Sequence, residues 1–125
     1  MSFIFKKLSI PDVILLKPKV FFDERGFFME SFRNSIFKKN GINTNFIQDM
    51  LSHSKKDTMR GLHFQKNPKA QAKIVMVVRG KIFDVVVDIR KNSPTYGKWI
   101  SEILSDKDHR SLYVPKGFAH GFCVL

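Results

Sequence analysis

AKIVMVVRGKIFDVVVDIR, Ala72 to Arg90, is the stretch whose reading decides the fold. Two runs rich in Val, Ile and Phe flank Arg79-Gly80-Lys81. β-Branched side chains at that density fit a pleated strand better than a helix. The short break between the runs reads as a compact hairpin turn. Strand side chains alternate between faces, so Lys73 shares its face with Val75 and Val77. In the second run, Asp84 and Asp88 share a face with Ile82 and Val86. A charge in an apolar row either sits at a strand end and reaches water, or lines a cavity.

Outward from this stretch the same texture repeats. SFIFKKLSI reads as a strand stopped by Pro11, and DVILLK as another stopped by Pro18. KVFFDERGFFMESF reads as a hairpin with Asp23-Glu24-Arg25-Gly26 as its turn. NSIFKKNG is the best helix, capped by Asn34 or Ser35 and ended by Gly41. FIQDML is a strand, and MRGLHFQ (Met59–Gln65) is a strand with Gly61 as a bulge. KWISEIL, LYVP and GFAHGFCVL are three more strands. Nine or ten short strands with one brief helix indicate an all-β sandwich or barrel. No repeat or linker divides the chain, so residues 1–125 read as a single domain. The final residues are apolar and strand-like, and domains seldom end in mid-strand. A continuation past Leu125 is therefore expected.

Composition narrows the class. At 125 residues, 43% hydrophobic and with 13 Phe, the chain has material for one real core, which argues against disorder. Lys and Arg number 22 against 11 acids, a formal charge of +11. That excess predicts an anionic partner. The basic residues are spread evenly, with no tail or lysine-rich helix. This is the pattern of a solvated surface that steers an anion to a cleft. A nucleic-acid-binding barrel would want a basic stripe with exposed aromatics, and the aromatics here read as core. The lone Cys123 permits no internal disulfide. That fits a reducing, cytoplasmic setting, and its apolar neighbours predict a buried thiol. The longest N-terminal apolar run, Val13 to Leu16, is far too short for a signal sequence or a membrane span.

MRGLHFQ raises the question of chemistry. His63 and Gln65 share one face, Leu62 and Phe64 the other. Phe118, His120, Phe122 and Val124 share a face, so His120 is expected to point inward. Any one such residue is ordinarily a satisfied core residue. Two histidines, a lysine, an arginine and a glutamine on several strands of one barrel are more economically read as a lined pocket. Metal is tested first. Barrels of this type often bind metal through a His-x-His pair, but here the pair is His63-Phe64-Gln65, and an amide is a poor transition-metal ligand. No metal is predicted. What remains is acid–base work: His63 as general base, Lys73 or Arg60 stabilising an oxyanion, and His120 on a substrate oxygen or phosphate. This suits removal of a proton from carbon beside a carbonyl.

MRGLHFQ, AQAKIV, GKIFDVVVDIRKNSPTYGKW and VPKGFAHGF, with FFDERGFFMESF and FIQD before them, resemble the ordered blocks of the dTDP-4-dehydrorhamnose 3,5-epimerase family. The similarity runs from about Pro11 to Leu125. It implies a cupin-like jelly roll, a double-stranded β-helix with one or two short helices. It implies a homodimer with shared N-terminal strands, and no cofactor, nucleic acid or membrane as partner. The implied reaction inverts C3 and C5 of a dTDP-linked 4-keto-6-deoxy sugar. On that resemblance His63 is the base and Lys73 steadies the enolate oxygen. Arg60 and His120 touch the sugar or diphosphate. Arg25, Glu30 and Gln48 bind the nucleotide side across the dimer. The family's aspartate partner for the base, and its tyrosine acid, are expected beyond Leu125. Met50 stands where the family usually has asparagine, which leaves room for another sugar or nucleotide. A single-carbon epimerase and a non-catalytic sugar-nucleotide-binding jelly roll are the alternatives.

Overall fold

Prolines and lysines cut the N-terminal apolar residues into short pieces, and the computed structural model, which describes residues 3–125, gives their pairing. β1 (Phe3–Lys7) and β2 (Ile14–Pro18) are antiparallel neighbours. β3 (Val20–Asp23) and β4 (Gly26–Met29) form a separate hairpin, followed by α1 (Asn34–Lys39). Then come β5 (Met59–His63), β6 (Lys73–Met76), β7 (Lys81–Asp88), β8 (Trp99–Ser105), β9 (Ser111–Val114) and β10 (Phe118–Val124). Two four-stranded antiparallel sheets result, ordered β1-β2-β9-β6 and β5-β10-β7-β8. From β5 onward the chain passes repeatedly between the sheets, as in the expected cupin-like jelly roll. The hairpin over Val20–Met29 is where the sequence puts it.

Arg79-Gly80-Lys81 is not a hairpin turn. β6 pairs with β9, whereas β7 pairs with β8 and β10. The break is a corner between sheets. The physical reason lies in the inward rows. Val75 and Val77 from one strand and Ile82 and Val86 from the other pack face to face in one cluster with Leu15, Leu104, Leu112 and Val114. Edge-to-edge pairing of β6 with β7 would put these rows in one layer and leave them uncovered.

A second cluster covers the outer face of the first sheet. Phe3, Ile14, Leu16 and Tyr113 pack there against Phe37 of the helix and Ile42. Phe37 is 1% exposed and meets the Phe3 ring edge-on at 5.0 Å. Such burial of one aromatic stabilises by roughly 2–3 kcal/mol. It explains why a six-residue helix forms with Arg33, not Asn34 or Ser35, at its N-cap and no side-chain cap. Tertiary packing outweighs capping here.

Three further expectations fail. FIQDML is not a strand: among the described residues no strand pairs with it, and Ile47, Met50 and Leu51 are exposed. Nor are all the aromatics core. Phe21, Phe22, Phe27 and Phe28 on the β3–β4 hairpin are each more than half exposed, because a free two-stranded ribbon has no second layer to cover it. Cys123 is half-buried rather than buried. It lies on the outer face of the second sheet in a row with Met59 and Phe83, which no helix covers.

Candidate active site

The site is built on the second sheet. β5 pairs with β10 so that His63 stands opposite His120 and Arg60 opposite Phe122, with a register shift between them. Residues directly opposite share a face. Strict alternation would put Arg60 and His63 on opposite faces. The irregularity at Gly61, the bulge read from the sequence, sets both on the face of His120 and Phe122. Gly61 has φ +102°, and a Cβ there would lie 2.7 Å from Gly121 Cα and from the His120 carbonyl oxygen. Only a residue without a side chain lets the two strands cross this closely.

His120 is buried, with Nε2 2.6 Å from Oδ1 of Asp84 on β7. Asp84 is fully buried, on the inward face that it shares with Val86. Burial pushes its carboxyl up, while the His120 contact and the positive charges of His120 and Lys73 pull it back. Lys73 opens β6 on the facing sheet, opposite Val114, and so projects between the sheets with Val75. Glu102 stands opposite Asp84 on β8 and accepts a hydrogen bond from Arg110 Nη1 at 3.2 Å. Asp84 and His120 are thus buried together, Lys73 is half-buried on the facing sheet, and His63 stands opposite His120 on the exposed strand β5. Among the described residues, no three His, Cys, Asp or Glu side chains converge as a metal site requires.

The other expected residues are less gathered. Arg60 is exposed, and its Nε donates to Ser54 Oγ at 2.8 Å. Arg25 lies in the β3–β4 turn with its side chain 85% exposed, tied to Asp23 at 2.6 Å. The ring contacts of its hairpin go to His109, 4.5 Å from Phe27. Glu30 pairs with Arg33 at 2.9 Å, and Gln48 sits in the exposed segment after α1. Tyr113 is a core residue, its hydroxyl 3.2 Å from Thr44 Oγ1. Asp84 is the residue that sequence reasoning passed over. Its charge in the row of Ile82 and Val86 was visible, but the partner that gives it meaning is 36 residues away.

The dTDP-4-dehydrorhamnose 3,5-epimerase family model matches residues 7–125. The epimerase of that name from Shigella flexneri is 56% identical over 120 residues, 95% of this chain and 66% of the relative. The crystal structure of the Sulfolobus tokodaii dTDP-4-dehydrorhamnose 3,5-epimerase superposes with a TM-score of 0.95 at 50% identity, over 100% of this chain and 70% of that one. The dTDP-6-deoxy-D-glucose-3,5-epimerase of Legionella pneumophila, solved with dTDP-4-keto-L-rhamnose, gives 0.95 at 45% identity, over 98% and 65%. The chain therefore spans about two thirds of the length of such relatives. Sequence blocks, strand order and superposition agree: the chain belongs to the dTDP-4-dehydrorhamnose 3,5-epimerase family.

Proposed function

We propose that the protein inverts C3 and C5 of dTDP-4-dehydro-6-deoxy-D-glucose to give dTDP-4-dehydro-L-rhamnose, a step of dTDP-rhamnose biosynthesis. The observation that carries this reading is the pairing of His63 with the buried His120 across β5 and β10, with the half-buried Lys73 opening a strand of the facing sheet. The Legionella relative's sugar-nucleotide ligand supports the substrate class.

The 4-keto group makes the hydrogens at C3 and C5 acidic, so neither a cofactor nor a metal is needed to start the reaction. His63 takes the proton. The electron pair moves into the enolate, whose oxygen the Lys73 ammonium stabilises. A proton returned from the opposite face inverts the carbon. Arg60 and His120 hold the sugar and diphosphate, and the formal charge of +11 draws in the dianionic substrate.

Arg25, Glu30 and Gln48 serve the nucleotide end from the partner subunit of a homodimer with shared N-terminal strands. Two features support a dimer: the four exposed phenylalanines of the β3–β4 hairpin, and the uncovered outer face of the second sheet with Phe83, Ile103 and Trp99. The cytoplasm is the proposed location, in keeping with a single unpaired cysteine.

Incubation with dTDP-4-keto-6-deoxyglucose in deuterated water tests the reaction. Deuterium at both C3 and C5 is expected, and is lost in His63→Ala with dTDP binding retained. Deuterium at one carbon would instead mark a single-carbon epimerase. Binding with no exchange would leave a non-catalytic sugar-nucleotide module. Tighter binding to DNA than to dTDP at physiological salt would overturn the substrate class altogether.

A further inference from the structure

We propose that Asp84 is a positioning residue of this site, fixing the His120 ring through Oδ1 and holding Oδ2 in reserve for the Lys73 ammonium. The proposal rests on the epimerase reading above and assigns a part to a residue that acts through two others.

The geometry of one carboxylate carries it. Asp84 has no solvent exposure, yet only one of its oxygens is bonded: Oδ1 lies 2.6 Å from His120 Nε2, while Oδ2 is buried without a hydrogen-bond partner. A half-satisfied buried carboxylate is costly, and an amide or an apolar residue would serve a purely structural role better. Its surroundings point to a working charge. Lys73 opens β6 on the facing sheet, half-buried and opposite Val114. Glu102, directly opposite on β8, would repel it but is neutralised by Arg110 at 3.2 Å. His120, with His63 opposite it and Arg60 further along β5, completes the set of titratable and charged groups on this face.

The consequence is chemical. An ionised carboxylate only accepts, so His120 Nε2 carries the hydrogen. Nδ1 is then the ring's other polar atom, and it donates to a sugar or phosphate oxygen only when the ring is doubly protonated. Lysine's flexible stem lets its ammonium exchange between Oδ2 and the enolate oxygen, so the charge that meets the transition state is held nearby beforehand.

Side-chain 15N NMR of His120 and steady-state kinetics on the dTDP-linked keto sugar test this in the wild type, Asp84→Asn and Asp84→Glu. The wild-type ring is expected to carry hydrogen on Nε2. Asp84→Asn is expected to lower kcat by about ten-fold or more with little change in KM. Asp84→Glu should recover part of that loss. A wild-type ring bare at Nε2 overturns the proposal, as does Asp84→Asn with wild-type kcat. If Asp84→Asn does not fold, the wild-type spectrum decides. If the wild type turns over no sugar, the epimerase reading falls, and the ring's protonation still decides the part of Asp84.

Discussion

His63 and His120 stand opposite each other across β5 and β10, and among the described residues His120 has a carboxylate, Asp84, at its ring. Lys73 stands across from them, and its replacement separates charge from packing. Lys73→Met keeps the stem and removes the ammonium. It is expected to lower kcat by about 10²–10³-fold while the fold persists, read by turnover alongside circular dichroism. Gly61 is the residue on which this arrangement physically depends. In Gly61→Ala, a Cβ 2.7 Å from two backbone atoms forces β5 away from β10, at a backbone φ of +102° that alanine resists. A loss of at least about 2 kcal/mol in urea unfolding is expected, with weaker dTDP binding as Arg60 and His63 move.

At the scale of elements, the corner after β7 is held by charge. Asp88 is buried and takes hydrogen bonds from Arg90 Nε at 3.0 Å and Nη2 at 2.9 Å, from Ser93 Oγ at 2.6 Å, and from the Thr95 hydroxyl. Arg90 reaches on to Asp12 before β2, tying the two sheets together, and lies over the Phe118 ring at 4.6 Å. The Arg90 guanidinium, helped by the Ser93 and Thr95 hydroxyls, holds the Asp88 carboxyl well below its ordinary value of 3.8. A depressed carboxyl stabilises the fold above its unfolded value and loses that contribution as pH falls. Stability should therefore decline from about pH 4 downward. Asp88→Ala should cost about 3–5 kcal/mol at neutral pH and flatten the acid limb, both read from denaturation midpoints between pH 2 and 7. The helix depends on one residue in the same way. Phe37→Ala should cost about 3–5 kcal/mol, since Phe37 replaces the missing cap as the anchor of α1.

At the scale of the whole molecule, the two sheets are unequal. One is covered on both faces, by the other sheet and by α1 with its neighbours. The other leaves a row of Met59, Cys123, Phe83 and Ile103 facing outward. Apolar rows of that kind mark a surface that a partner covers. If the homodimer uses it, the double change Phe83→Lys with Ile103→Lys should shift sedimentation from dimer to monomer. Retention of the dimer would instead direct attention to Phe22 and Phe28 on the hairpin. The charge excess acts at the same scale. Apparent affinity for the dianionic sugar nucleotide should weaken as ionic strength rises, because long-range attraction is screened within about 10 Å at 0.1 M salt.

Most strands, the hairpin over Val20–Met29, the bulge at Gly61, the inward aim of His120 and the face that Asp84 shares with Val86 were legible in the sequence. Each follows from alternation or from a local turn residue, and both act over a few positions. Family membership was legible for the same reason, since ordered blocks are a one-dimensional signal. The pairing of strands was not. Arg79-Gly80-Lys81 carries the residues of a hairpin turn, and only the burial of two valine-rich faces against each other makes it a corner. The Asp84–His120 contact, the solitude of FIQDML and the exposed phenylalanines belong to the same class. They depend on which distant strands meet, and apolar contact, being non-directional, writes no local mark of its partner into the chain.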